Sequence, residues 1–235
     1  MCTDEPRKRL IDAALDLFGR YSFDGVSTRM LAEKAEVNLA AIKYYFGSKE
    51  GLYIAVAQYI VEQFNTMLDR QLEKIREALT DQALSRERSF HYLCELLDFL
   101  ITRFLGLPQS DQWLGIIIRE QLCPTKAFDT LFEGFMKPLD NVLFGLTARI
   151  VGLDSEDQEV KLRVFAIVGQ IMMFHISPSG IRRTLAWENY GPENLDAIRS
   201  VIMSHLSGIF SMPPPSDSDT GAGCRNSEYG QATPC

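Results

Sequence analysis

The chain has 235 residues, of which 46% are hydrophobic, and its formal net charge is −7. This length is enough for one large or two modest domains with a substantial core. The acidic total excludes a chain that is basic throughout, but the charge is divided unevenly. Residues 1–50 hold eight Lys/Arg and eight Asp/Glu, so the remaining 16 basic and 23 acidic residues place the whole excess in residues 51–235.

The reactive side chains and the apolar stretches exclude several classes of protein. Five cysteines, at positions 2, 94, 123, 224 and 235, show no Cys-x-x-Cys spacing, and the histidines are scattered at 91, 175 and 205, so we expect no metal and no cofactor. The N-terminus is charged within four residues, and the longest apolar stretch, 164–174, is interrupted and too short to span a bilayer. We therefore expect a cytoplasmic protein with reduced thiols and no membrane partner.

The first predicted element is an amphipathic helix within the first twenty residues. Asp4, Glu5 and Pro6 are typical of a helix start. Apolar residues then recur at helical spacing and define one buried face, at Leu10, Ile11, Ala14, Leu17 and Phe18.

Residues 27–49 predict two short helices joined by a tight turn. The first has an apolar stripe from residue 30 to residue 35, and the hydroxyl of Ser27, or of Thr28 beside it, can cap it. The turn is predicted at 36–38, where Asn38 tolerates turn and cap conformations. The second helix is predicted from about residue 39 to residue 45, with Val37, Ile42 and Phe46 as its apolar anchors. This layout is that of a helix-turn-helix, which places its second helix in a major groove.

The outward face of the second helix suits double-stranded DNA. Ala40 and Ala41 are small, so the backbone can lie deep in the groove and their methyl groups can contact thymine. Basic and tyrosine side chains suit phosphate contacts, which position a helix without specifying sequence, at Lys43, Tyr44, Tyr45 and Lys49. Two amphipathic helices of any bundle would give a similar stripe, but the tyrosine pair beside a lysine, followed by Gly-Ser-Lys-Glu, favours DNA.

The rest of the chain also predicts helices, because no segment shows sustained two-residue alternation. Ser48 is predicted to cap a long helix that extends to about residue 75, and further helices are predicted at 86–106, 112–122, 125–151, 155–176, 180–187 and 192–210. Residues 212–235 are rich in Pro, Gly and Ser and predict a disordered tail. The predicted fold is all-α: a three-helix DNA-binding domain at 1–50, a helical effector-binding and dimerisation domain at 51–211, and the tail.

Several runs of sequence resemble one known family. AALDLFGRYSFDGVSTR at 13–29, LAEKA at 31–35 and YYFGSKEGLY at 44–53 resemble the DNA-binding domain of TetR-family transcriptional regulators, over residues 7–56. IREQLCPT at 118–125, followed by 135–139, resembles the ligand domain of CecR-like members of that family and extends the similarity to about residue 210.

The resemblance implies which side chains touch DNA. Ser27, Thr28 and Arg29 would contact it from the first helix of the motif, and Lys49 would hold a phosphate at the start of the following helix, where the helix dipole favours an anion. Only Arg29, Asn38 and Lys43 carry donors suited to base recognition. The full predicted set is Ser27, Thr28, Arg29, Asn38, Ala40, Ala41, Lys43, Tyr44, Tyr45 and Lys49.

The helices at 160–176 and 195–210 are apolar on more than one face. Packing within the chain would explain this pattern, but the resemblance favours a four-helix interface between two copies, and a two-fold homodimer matches a palindromic operator. The residues predicted at this interface are Leu162, Phe165, Val168, Met172, Ile198, Val201, Ile202 and Leu206.

Residues predicted to line a site for a small organic effector combine apolar bulk with a few polar groups. Aromatic and Met residues at helical spacing more often belong to a core, and His175 is expected to be structural. Arg119 and Glu120 stand in an otherwise apolar segment and need a partner, which could be a salt bridge within the fold, a ligand or solvent; structural pairing is preferred. The lining candidates are Trp113, Ile117, Arg119, Glu120, Gln121, Phe135, Met136, Met173, Phe174 and His175.

The sequence supports three functional hypotheses. The resemblance implies a homodimeric repressor that a small molecule releases from its operator by spreading the two DNA-binding domains. The alternative is a DNA-binding activator, or a regulator without an effector; a cavity with buried polar groups would favour the first hypothesis and a filled core the second. The third, an adaptor that does not bind DNA, disagrees with the basic and tyrosine face. No glycine-rich phosphate loop, nucleophile elbow or metal-spaced cluster occurs, so we expect no enzyme activity.

Overall fold

The computed structural model describes residues 5–106 and 110–212, and every regular element in these ranges is helical. The predicted tail lies, apart from Met212, outside the described residues. The N-terminal part consists of α1 (Glu5–Arg20), α2 (Thr28–Lys34) and α3 (Ala40–Phe46). The remaining elements are α4 (Lys49–Thr80), α5 (Arg86–Gly106), α6 (Ser110–Leu122), α7 (Lys126–Leu131), a π-helical segment (Phe132–Met136), α8 (Lys137–Val151), α9 (Gln158–Ile176), α10 (Pro178–Leu185) and α11 (Pro192–Phe210). The predicted all-α fold is confirmed.

Local hydrogen bonds set the bounds of α2. The Ser27 hydroxyl accepts a hydrogen bond from the Met30 N–H at 3.2 Å, so Ser27 rather than Thr28 is the cap. At the other end, the Val37 N–H donates to the Ala32 carbonyl and the Glu36 N–H to the Glu33 carbonyl. These two hydrogen bonds form a Schellman motif, which ends a helix with one residue in the left-handed conformation. That residue is Glu36, with a φ of 53°.

The Gly-Ser-Lys-Glu-Gly run at 47–51 explains why α3 ends at Phe46 and α4 begins at Lys49. Gly47 has a positive φ of 75° and ends α3, and the Ser48 hydroxyl accepts from the Gly51 N–H at 3.1 Å. A Cβ on Gly51 would lie 2.0 Å from the Phe46 carbonyl oxygen. Two glycines and one cap therefore hold α3 tightly against the first turn of α4, and the predicted cap at Ser48 is confirmed.

The 32-residue α4 connects the helix-turn-helix to the rest of the molecule. Its buried residues recur at three- and four-residue spacing from Leu52 to Ile75, so one face is covered along nearly its whole length. The core is continuous from Leu10 in α1 to Phe210 in α11. The predicted boundary after residue 50 falls in the first turn of α4, and the assignment of 1–50 and 51–211 as separate domains stays a prediction.

The helix predicted at 125–151 is interrupted, which corrects that prediction. Pro138 has no N–H, so it cannot donate to the Gly134 carbonyl as a residue four positions later does in an α-helix. The side chain of Asn65 in α4 donates to this carbonyl instead, at 3.2 Å. A Cβ on Gly134 would lie 2.7 Å from Val61, so the π-helical segment also approaches α4 closely. The missing donor and the close contact explain why regular helix resumes only at Lys137.

Three other predicted helices begin at different residues. The helix predicted from 112 begins at Ser110. The helix predicted from 155 begins at Gln158, because Asp157 caps it by accepting from the Glu159 N–H at 2.8 Å. The short helix predicted at 180–187 is Pro178–Leu185, because proline favours the first position of a helix. In the described ranges no single helix is long and apolar enough to cross a membrane; only α9 and α10 taken together, bent by 79° at their break, meet the length and composition requirement.

Candidate nucleic-acid interface and effector region

The second helix of the motif, α3, is anchored by one face and open on the other. Ile42 is buried, whereas Ala40, Lys43 and Tyr44 are exposed, and Tyr44 is exposed to 81%. Ala41 and Tyr45 are half-buried at the edges of this face. A protruding row of small, basic and tyrosine side chains on a rigidly anchored helix is what insertion into a major groove requires.

Two of the predicted base-contacting residues are already engaged. The Asn38 side-chain oxygen accepts from the Ala40 N–H at 2.8 Å, so Asn38 caps α3 and leaves its amide N–H₂ for DNA. Arg29 pairs with Glu33 one turn on, at 2.9 Å between Nε and Oε1, with both side chains exposed. Arg29 would exchange this carboxylate for a DNA group on binding. Lys43 has no such engagement among the described residues.

Lys49 lies at the first position of the long α4. Its Nζ is 4.1 Å from the centre of the Phe23 ring, a cation–π contact that fixes the ammonium group at the helix N-terminus. The helix dipole of α4 and the charge of Lys49 both favour an anion near this end of the helix, which suits a phosphate. Ser27 and Thr28 lie exposed at the start of α2.

Sequence reasoning missed the basic start of α1. Arg9 lines an open groove of about 550 Å³ together with Asn38, Ala40, Ala41 and Tyr44. The Arg9 Nε is buried and finds no hydrogen-bond partner among the described residues, while the Arg7 guanidinium lies 5.5 Å from the centre of the Phe46 ring. The signal was the Arg-Lys-Arg run at 7–9, which helical periodicity alone marks only as the start of an amphipathic helix. It adds positive charge beside α3.

Arg119 and Glu120 both have structural partners within the fold, which agrees with the pairing preferred from the sequence, and their role in a ligand site stays a prediction. The Arg119 guanidinium donates to the Phe18 carbonyl at the end of α1. Glu120 is buried, and its carboxylate accepts from the Tyr53 hydroxyl at 2.8 Å and from the Thr125 N–H at 2.9 Å. Burial, and then the hydrogen bond to Glu120, raise the pKa of Tyr53. Both side chains therefore have hydrogen-bond partners within the fold, and these partners are neutral groups.

The same helix, α6, touches the DNA-binding part at two further points. Gln112 donates to the Asp16 carboxylate at 3.1 Å, and Asp16 also pairs with Lys34 of α2 at 2.8 Å. The hydrogen bond from Lys34 holds the pKa of Asp16 below its usual range. At the crossing with α1, a Cβ on Gly115 would lie 2.6 Å from the Gly19 carbonyl oxygen. Displacement of α6 would therefore move α1 and α2 with it.

The remaining effector candidates separate into an interior set and a surface set. The interior set surrounds Phe64, which stacks on Phe135 at 4.4 Å and on Phe104 at 4.9 Å and meets Trp113 at 5.8 Å between ring centres. Phe64 and Phe104 are the members that sequence reasoning missed. Ile117 and Met136 are buried, and half-buried His175 meets Phe104 edge-on at 6.4 Å. Gln121 and Met173 are exposed, and the carbonyl of half-buried Phe174 accepts from the Tyr190 hydroxyl.

The predicted dimer residues also divide into two groups. Ile198, Ile202 and Leu206 are buried within the protomer and form part of its own core. Their predicted place in the dimer interface is therefore corrected. Val168 and Met172 are half-buried. Three others remain largely exposed: Leu162 at 58%, Phe165 at 57% and Val201 at 53%.

The fold and this geometry define a class of protein, the helical DNA-binding regulators with a helix-turn-helix at the N-terminus. Residues 10–56 match the family model of bacterial regulatory proteins of the tetR family, and residues 90–210 match that of the C-terminal domain of the HTH-type transcriptional dual regulator CecR. The chain is 33% identical over 211 residues to CecR of Shigella flexneri, covering 88% of this chain and 92% of that protein. The chain belongs to the TetR family of transcriptional regulators, and its C-terminal domain is of the CecR type.

Solved structures share the fold. A TetR-like transcriptional regulator from Rhodococcus sp. RHA1 superposes with a TM-score of 0.53 and 20% identity, covering 87% of this chain and 95% of that one. The transcriptional regulator FadR from Bacillus subtilis, in complex with stearoyl-CoA, gives a TM-score of 0.54 and 18% identity, covering 85% and 96%. The curated relatives are named as transcriptional regulators.

Proposed function

We propose that this regulator is a cytoplasmic homodimeric repressor that a small organic molecule releases from a palindromic operator. The observation that supports release is the position of α6. One face of this helix carries Trp113 into the aromatic cluster around Phe64, and the other holds the end of α1 through Arg119 and Gly115. A molecule that moved α6 would change the orientation of the helix-turn-helix. In a dimer, two such changes would alter the distance between the two α3 helices, so that they no longer match the half-sites of the operator.

The exposed apolar face of α9 and α11 supports the homodimer. Leu162, Phe165 and Val201 are more than half exposed, and a Cβ on Gly169 would meet nothing within 4 Å. A contiguous apolar face of this kind on a protein surface marks an association site. Paired with its own copy around a two-fold axis, it would form a four-helix interface and place two α3 helices against a palindrome. In this proposal the DNA-binding unit is 1–50, and the effector and dimer unit is 51–211.

A second candidate is a DNA-binding activator, or a regulator that acts without a small molecule. The relative from Shigella flexneri is named a dual regulator, and this name supports a candidate that is not limited to repression. The dense stacking of Phe64 between Phe104 and Phe135 also favours a regulator whose core is filled. Both candidates share the DNA-binding step and differ in the response to a ligand.

Operator selection tests the proposal. The purified full-length protein is used to enrich bound duplexes from a random pool, first alone and then with small organic compounds present. We expect a palindromic site whose binding one compound abolishes. A palindrome that no compound affects would support the second candidate, and the lack of any enriched site at low salt would contradict DNA binding itself.

A further inference from the structure

The groove beside α3 contains a basic side chain from a helix outside the helix-turn-helix motif. Arg9, in the third position after Pro6 of α1, lies half-buried in this open groove of about 550 Å³. The other lining residues include half of the predicted DNA-binding set, which comes from α3 and the turn before it: Asn38, Ala40, Ala41, Tyr44 and Tyr45. The groove is therefore continuous with the face that we assign to DNA.

The charge of Arg9 is not balanced within the described part of the chain. Its Nε is buried and has no hydrogen-bond partner there, although native proteins usually provide a partner for a buried donor. Glu36 lines the same groove, but in the described ranges the two side chains form no ion pair. A guanidinium is charged at physiological pH. The groove thus holds a cation whose acceptor has to come from another molecule.

The position of Arg9 on α1 distinguishes it from the two basic residues before it. Successive side chains of an α-helix point about 100° apart. Lys8 is exposed and does not line the groove. Arg7 places its guanidinium 5.5 Å from the centre of the Phe46 ring, at the last residue of α3. Lys8 therefore offers a change of equal charge, one residue away, at a different position.

The chemistry of the groove favours a phosphate of the DNA backbone. A planar guanidinium can donate two parallel hydrogen bonds to one phosphate. Ala40 and Ala41 belong to the first turn of α3, the part of a recognition helix that approaches the base edges. Arg9 reaches the same groove from α1, at the side of the recognition helix. Contacts from such a position hold the backbone and fix the orientation of the helix in the groove.

We propose that Arg9 is a further DNA-binding residue, which holds a backbone phosphate at the edge of the major groove that α3 enters. The exposed carboxylate of Glu36 in the same groove repels a phosphate, so the guanidinium has to outweigh it. The proposal rests on the DNA binding of the proposed function and is independent of the effector and of release. It adds α1 to the elements that contact the duplex.

Fluorescence anisotropy with the full-length protein tests the charge of the contact, on the selected operator and on an unrelated duplex at several salt concentrations. Arg9→Met keeps an extended side chain and removes the charge. We expect it to weaken binding to both duplexes about tenfold per bound protomer at about 0.1 M salt. The log–log salt dependence should fall by about one unit of slope per protomer, because one phosphate is no longer neutralised. Arg9→Lys should keep the native slope, and Lys8→Met, the matched control, should keep both the slope and the affinity.

A second set of duplexes locates the phosphate. Each carries one uncharged methylphosphonate linkage in place of one phosphate of the operator. We expect one position in each half-site at which the native protein loses about tenfold in affinity and Arg9→Met loses nothing further. Should Arg9→Met fail to fold, as thermal denaturation would show, Arg9→Gln takes its place in both measurements.

Three results would overturn the proposal and leave the proposed function standing. The first is native affinity and slope in Arg9→Met. The second is a loss confined to the operator, which would make Arg9 a residue that reads bases. The third is a loss with an unchanged slope and no shared methylphosphonate position, which would show a structural role. Lys43→Ala and Lys49→Ala test DNA binding separately, and only the absence of binding to any duplex at low salt would overturn both proposals together.

Discussion

Glu36 has a left-handed backbone conformation in the turn of the helix-turn-helix. Its φ of 53° lies in the left-handed region, which costs an L-residue about 1–2 kcal/mol, whereas glycine adopts it freely. Because glycine loses more conformational entropy on folding, we expect Glu36→Gly to raise the free energy of unfolding by a net of about 0.5–1 kcal/mol. It also removes a carboxylate from the groove beside Ala40, so affinity for duplex DNA should rise.

Thermal denaturation and a DNA titration check this prediction. Glu33→Gly, in the last turn of α2, is the control and should destabilise the protein by about 1 kcal/mol, because glycine is a poor helix former and the substitution also removes the exposed ion pair with Arg29. Equal destabilisation by both substitutions would show that residue 36 is not left-handed in solution.

Asp140 is half-buried in α8 and has no ion-pair partner in the described part of the chain. Burial raises its pKa to about 6, above the value of about 3.9 in an unfolded chain. The folded state therefore binds more protons than the unfolded state between about pH 4 and pH 6, and this group stabilises the fold as pH falls through that window.

We expect Asp140→Asn to stabilise the protein at pH 7–8 by about 1 kcal/mol, a figure reduced for partial solvent screening, and to have little effect near pH 4. Urea denaturation across this pH range measures the difference. The exposed Asp129→Asn provides the control, because it removes one carboxylate of the same type from the surface. A gain of equal size at every pH would rule out the titration of Asp140 as its cause.

At the scale of elements, α6 and α1 approach each other closely, at the contact that the proposed release would use. A Cβ on Gly115 would lie 2.6 Å from the Gly19 carbonyl oxygen, and a backbone atom cannot yield as a flexible side chain can. We expect Gly115→Ala to lower the free energy of unfolding by about 1–3 kcal/mol through overpacking. Chemical denaturation measures the change. Without this contact, replacing a helical glycine by alanine would stabilise the protein by about 1 kcal/mol. A gain in the free energy of unfolding would therefore show that the close contact between α6 and α1 is absent.

The sequence predicts elements best where local signals set them. Ser27, Gly47 and Ser48 act within a few residues of themselves, and the predicted helix starts and breaks there agree with the structure. The π-helical segment depends on Asn65, which lies 69 residues from its partner Gly134. Pro138 signalled an irregularity, but the group that resolves it lies on another helix.

Side-chain roles were harder to predict for the same reason. Arg119 finds its acceptor 101 residues away at Phe18, and Glu120 finds Tyr53 at a separation of 67 residues. The sequence of α11 has two apolar faces, and periodicity alone does not show which face packs against the protomer's own core. Ile198 and Ile202 were therefore predicted at an interface, although they are buried. By contrast, the exposed face of α3 follows directly from helical periodicity.

At the scale of the whole molecule, the proposed dimer depends on the exposed apolar residues of α9 and α11. We expect Val201→Glu to convert the dimer to a monomer, because it would bury unpaired like charges near the two-fold axis. Sedimentation equilibrium measures the mass. Leu122 is 77% exposed but lies outside this face, so Leu122→Glu is the matched control and should remain dimeric. A dimer that both substitutions leave intact would place the interface elsewhere.

The central claim is that the face of α3 and the start of α4 bind duplex DNA. The most direct test is the equilibrium affinity of the full-length protein for the selected operator and for an unrelated duplex, measured by fluorescence anisotropy over a range of salt concentrations. We expect Lys43→Ala and Lys49→Ala to weaken binding to both duplexes. Each substitution should also reduce the log–log salt dependence by about one unit of slope, because one phosphate is no longer neutralised. The exposed Lys126→Ala should match the native protein. Unchanged affinity and salt dependence in both Lys43→Ala and Lys49→Ala would contradict the claim and favour the adaptor that does not bind DNA.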